Sequence, residues 1–79
     1  MLSKLNAMAK WVGEDDENRH LNVRAYSESS WVCTVEESGY DVVQSRGAAG
    51  RGCSIKEAVN NCYLQFLSMM RKERSRHAF

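Results

Sequence analysis

GAAGRGCS, residues Gly47 to Ser54, decides how this chain is divided. Its four leading positions are glycine or alanine, Arg51 follows them, and its last residue opens a strongly patterned segment. Ser54-Ile55-Lys56-Glu57 has the form of a capping box, in which the Ser54 hydroxyl accepts the Glu57 amide proton and the Glu57 side chain reaches back. From Ile55 onward, Ala58 with Val59, Cys62, Phe66, and Met69 with Met70 recur at helical spacing. Lys56, Asn60, Gln65 and Ser68 fall largely elsewhere. The spacing predicts a long amphipathic helix whose apolar face covers one side of a sheet. The glycines before it read as a turn whose backbone adopts unusual angles.

Upstream, period-two alternation points to strands. Leu21 to Ser27 alternates Leu21, Val23 and Ala25 against Asn22, Arg24 and Tyr26. Trp31 to Glu36 alternates Trp31, Cys33 and Val35 against Val32, Thr34 and Glu36. Tyr40 to Ser45 is a mixed third candidate. Short joints at Glu28-Ser29-Ser30 and Glu37-Ser38-Gly39 suit hairpins, giving an antiparallel three-stranded meander. Before the strands, Leu2, Leu5, Met8, Ala9 and Val12 make a helical stripe over Ser3 to Val12. Ser3 is its N-cap, Gly13 its stop and Trp11 lies at its edge. The expected fold class is α+β: an N-terminal helix, a three-stranded antiparallel sheet and a long C-terminal helix packed on one face. If that helix covers one face, the other displays Arg24, Tyr26, Val32 and Thr34, unless the first helix lies there.

The chain of 79 residues suits a single domain, residues 1–79, with 71–79 read as a frayed basic tail. Its hydrophobic content of 43% fits a folded globule, and a domain this small has little room for a deep cleft. Three cysteines with no C-x-x-C pair argue for reduced thiols in the cytoplasm. No apolar run is long enough to span a membrane, and the N-terminus is too polar for a signal peptide. The net charge of +1 conceals an asymmetry, with an acidic run at Glu14, Asp15, Asp16 and Glu17 and basic residues at Arg71, Lys72, Arg74 and Arg76.

Chemistry is sparse. G-x-x-x-x-G-K-[S/T] is the phosphate-cradling loop pattern, but Cys53 stands where the lysine would bridge the outer phosphates. An antiparallel meander also lacks the parallel strands and magnesium-binding acid that such domains need. The helix start, the glycines and Arg51 retain a weaker capacity for an anion. Cys53 near a helix N-terminus would need a base, and His20 and His77 lie in a loop and a tail. Cys33 and Cys62 read as small core residues. The cysteines and histidines lack zinc spacing, and Asp15 and Asp16 sit in an exposed polar run. The sequence therefore predicts no catalytic residue, cofactor or metal.

The stretch GRGCSIKEAVNNCYLQFL resembles the last helix of the double-stranded-RNA-binding domain at Gly50, Gly52, Ser54, Lys56 and Ala58. It departs at Ile55 and Val59, where that family carries two of its three phosphate-binding lysines. It is also similar to the HicB-type antitoxin domain, whose strand-to-helix junction is matched by Gly52, Ser54, Glu57, Ala58 and Asn61. That family acts by covering a small toxic ribonuclease. In element order the chain resembles small phage anti-CRISPR proteins. By elimination of pocket, cofactor motif and strong basic face, and in line with the antitoxin and anti-CRISPR resemblances, the expectation is a non-enzymatic inhibitor that binds another protein, such as a nuclease or nucleic-acid-binding complex. Its expected contact residues are Glu14, Asp15, Asp16, Glu17, Arg24, Tyr26, Arg51 and Lys56. The alternative is a nucleic-acid-binding module using Arg51, Lys56 and the Arg71 to Arg76 tail.

Overall fold

A computed structural model describes residues 2–38 and 46–77, with backbone alone for 73–77. The order is α1 (Leu2–Gly13), β1 (Arg19–Ser27), β2 (Ser30–Glu37), β3 (Arg46–Gly52) and α2 (Ile55–His77). The strands form an antiparallel sheet in the order β1-β2-β3. Met8 and Trp11 of α1 share one core with Ala58, Val59, Cys62 and Phe66 of α2 and with Cys33 and Val35 of β2. The Trp11 and Phe66 rings meet edge to face at 5.5 Å. Both helices therefore lie on the same side of the sheet, and the fold is the α+β arrangement that the periodicities predict.

The third strand is where the sequence misleads. The segment expected as a strand, Tyr40 to Ser45, lies outside the described residues. The glycine-rich stretch expected as a turn is β3 itself, paired with β2 from Trp31↔Gly52 to Glu37↔Arg46. No glycine among the described residues has a positive φ, so unusual backbone angles are not what these glycines provide. What they provide is room. A Cβ on Gly50 would overlap the Cys62 backbone nitrogen and stand 2.5 Å from the Ala58 carbonyl oxygen. A Cβ on Gly52 would stand 2.6 Å from the Glu57 Cβ. The backbone of α2 thus rests almost directly on β3, which only a strand of minimal side chains permits.

Alternation fixes the faces. Leu21↔Val35↔Ala48 and Val23↔Cys33↔Gly50 run across the sheet beneath the helices. Ala25, expected on this face with them, is exposed at the hairpin end of β1. The β1–β2 hairpin turns at Glu28-Ser29, and its register shift leaves Tyr26 as an extra residue between Ala25 and Ser27. At the helix ends, α1 starts at Leu2, so Ser3 lies within the first turn instead of capping it. Ser54 does cap α2, accepting the Glu57 N–H at 3.2 Å.

The opposite end of the sheet is closed by charge. Arg19, Glu37 and Arg46 form one cross-strand row. Arg19 Nε donates to Glu37 Oε2 at 2.6 Å and Arg46 Nε to Glu37 Oε1 at 3.0 Å. The Arg19 guanidinium also lies 4.1 Å above the Trp11 ring and donates to the Trp11 carbonyl at 2.8 Å. This cluster ties α1 to the sheet, and it is why Trp11 is only 6% exposed. Burial alone would raise the Glu37 carboxyl. The hydrogen bonds and charges of Arg19 and Arg46 together hold it below the usual carboxylate range.

Candidate protein-interaction face

With both helices on one side, the second face of the sheet has no covering element among the described residues. Three cross-strand rows make it up: His20–Glu36–Gly47, Asn22–Thr34–Ala49 and Arg24–Val32–Arg51. Val32 and Thr34 are half-buried because they stand on the central strand, while Arg24, Ala49 and Arg51 are exposed. Gly47 and Ala49 add no bulk, so the β3 side of this face is low and open to close approach. At its hairpin end, Arg24 and Arg51 flank Val32. Two interstrand spacings separate their backbones, roughly 10 Å. Tyr26, 68% exposed, projects from the bulge beside them. The Glu36 carboxylate, four residues along β2 from Val32, stands roughly 13 Å away along the strand.

The structure brings Arg24, Tyr26 and Arg51 together at one end and places the other expected contact residues elsewhere. Lys56 belongs to the first turn of α2, in the helical layer. There it lines an open recess with Lys4, Ser54, Glu57 and Asn60, and Lys4 donates to the Asn60 side-chain oxygen. The acidic run lies at the end of the sheet away from the β1–β2 hairpin, and half of it is engaged. Glu14 pairs with Arg19 at 3.6 Å, and the Asp15 carboxylate accepts from the Asn18 amide at 3.1 Å. Asp16 and Glu17 are exposed. The four acids are thus the surface of a hydrogen-bonded turn, with two carboxylates directed to structural work.

Sequence reasoning located Arg24, Val32 and Thr34 on this face, with Tyr26 in the bulge at its hairpin end, but missed Gly47 and Ala49. The signal was faint: small residues do not display the polar–apolar alternation by which strands are recognised. The thiols divide as expected. Cys33 and Cys62 are buried, whereas Cys53 is exposed in the bend before α2. His20 stands at the other end of the sheet from Cys53. Among the described residues, no group of three His, Cys, Asp or Glu side chains is placed to hold a metal ion. No helix among them is long and apolar enough to cross a membrane. Compared with known protein families, with characterised proteins and with solved structures, the chain finds no match in any of the three.

Proposed function

We propose that this chain is a non-enzymatic binding module of the cytoplasm that works by covering a surface of another protein. An antitoxin-like or anti-CRISPR-like inhibitor of a nucleic-acid-processing protein would act in this way. One observation carries the reading: an entire sheet face is uncovered by the helices, and its hairpin end groups Arg24, Val32, Arg51 and Tyr26. An exposed aromatic and arginines grouped around an apolar residue are the composition of protein contact sites. A nucleic-acid reading is favoured by a different observation, the placement of Lys4 and Lys56 around the α2 start. Two cations there, one of them bonded to Asn60, supply few phosphate contacts, and duplex affinity is mainly phosphate neutralisation. Among the described residues Tyr26 is the single exposed tyrosine, one stacking platform where single-strand binders use several.

The experiment compares the chain with an Arg24→Glu, Arg51→Glu variant. Both side chains are exposed, so folding should be unchanged within about 0.5 kcal/mol. Cross-linking in nuclease-treated host lysate should capture a partner with the parent chain and lose it with the variant. Duplex DNA and RNA should show negligible affinity at physiological salt. Submicromolar duplex binding that weakens steeply with salt would overturn the protein-binding reading and favour Lys4 and Lys56. Partner capture that survives the double reversal would remove this face from it.

A further inference from the structure

Cys33 and Cys62 come from different elements, β2 and α2, and both are 0% exposed. Both belong to the same core cluster, and each thiol acts on the titration of the other. The cause lies in the strand between them. Cys33 pairs across the sheet with Gly50, where the missing Cβ lets the Cys62 backbone settle against β3. The Cys62 Sγ lies 3.7 Å from the Ala48 carbonyl oxygen of β3, to which it donates. A disulfide requires two chains close enough for their Cβ atoms to converge at about 4 Å. At Gly50, directly across the sheet from Cys33, the α2 backbone at Cys62 lies against β3, so the two residues are neighbours in one layer of the core.

We propose that Cys33 and Cys62 are a dithiol pair that closes to a disulfide linking β2 to α2 when the chain meets a low-molecular-weight disulfide such as oxidised glutathione. One protein thiolate attacks a sulfur of the small disulfide, releasing one small thiol and leaving a mixed disulfide. The second protein thiolate then attacks the protein sulfur of that mixed disulfide and expels the second small thiol. Two electrons and two protons pass from the protein thiols to the oxidant, which is reduced to two thiols. The closed fold resists the first step. Burial raises the Cys33 thiol, and burial followed by the neighbouring Cys33 pushes Cys62 up to about 12, so neither supplies the attacking thiolate. Oxidation therefore proceeds through openings in which α2 lifts from the sheet, and the bond locks the helix when it returns. The pair lies under the helices, on the side opposite the Arg24–Val32–Arg51 row, so locking leaves the open face in place.

The test uses the full chain carrying Cys53→Ser, which removes the exposed thiol and leaves the core intact. It is refolded from denaturant in a mixture of oxidised and reduced glutathione, then digested with trypsin without reduction. Cleavage at arginine and lysine places Cys33 in residues 25–46 and Cys62 in residues 57–71. The expected product is lighter by two hydrogens and carries these two peptides joined. Closing a loop of about 30 residues should raise its Tm by on the order of 10 °C, reversibly with dithiothreitol. Folded protein kept in the same mixture should oxidise faster as low urea is added. Two free thiols, or two separate glutathione adducts with no internal link, would overturn the proposal. A linked product that melts below the reduced chain would do so as well.

Discussion

The two ends of the helical layer are joined to the sheet by opposite means. Where α2 crosses β3, contact is made by leaving side chains out: Gly50 and Gly52 let a helix backbone lie against a strand backbone. Where α1 meets the start of β1 and β3, contact is made by putting large side chains in. Trp11 lies beneath the guanidiniums of Arg19 and Arg46, and Glu37 holds both. At Gly50 the first joint has nothing that can move aside, because the atoms in the way would be backbone. The second is a set of flexible side chains whose strength depends on hydrogen bonds and on charge. Their failures should therefore differ in size, abruptness and response to pH.

The largest effect is expected at Gly50. Gly50→Val places branched carbon against the α2 backbone at Ala58, Asn61 and Cys62, and rotamer changes cannot relieve it. Overpacking typically costs 1–3 kcal/mol, and this site should reach or exceed ~3 kcal/mol. Chemical denaturation would measure it, and the same substitution at Gly13, which has nothing within 4 Å of an added Cβ, is the control. A Gly50→Val chain as stable as its parent would mean that α2 does not rest on β3.

The charged joint comes second. Glu37→Gln leaves two partly buried guanidiniums facing a neutral amide and should cost about 2 kcal/mol. The folded-state pKa of Glu37 is depressed, so its contribution is fully present above the unfolded carboxylate value, near ~4.3. It is lost as pH falls from there through the lower folded-state value. Stability measured from pH 7 to pH 3 should accordingly fall less steeply in Glu37→Gln than in the parent. Parallel curves would show that the cluster carries no linked proton.

The smallest of the three effects separates local from tertiary support within α2. Ser54→Ala removes one acceptor from the Glu57 amide and should cost ~1 kcal/mol, because the rest of the helix remains held by its packing. A thermal melt unchanged by this substitution would show that the first turn draws its stability from the β3 contact alone.

These comparisons also sort what was legible beforehand on the candidate face. Arg24, Tyr26, Val32 and Thr34 were visible as the polar side of alternating strands, since each alternates with an apolar neighbour. Arg51 was legible only as a charge in a turn. Its place in a row with Val32 and Arg24 depends on β3 being a strand, which its own composition does not signal. The acidic run was visible as charge, but the bonding of Glu14 to Arg19 and of Asp15 to Asn18 follows from how the turn closes.

By itself the sequence determined the helical periodicity of α2, its cap at Ser54, the two alternating strands β1 and β2, and the α+β order. Each of these is encoded within a few neighbouring residues, through side-chain spacing or one local hydrogen bond. The tertiary structure decided that Gly47 to Gly52 extends as a strand, that Trp11 is buried under two arginines, and that Cys33 meets Cys62. Glycine and alanine carry almost no preference strong enough to choose turn over strand. What chose was the helix above them, whose backbone needs the space that only missing side chains leave.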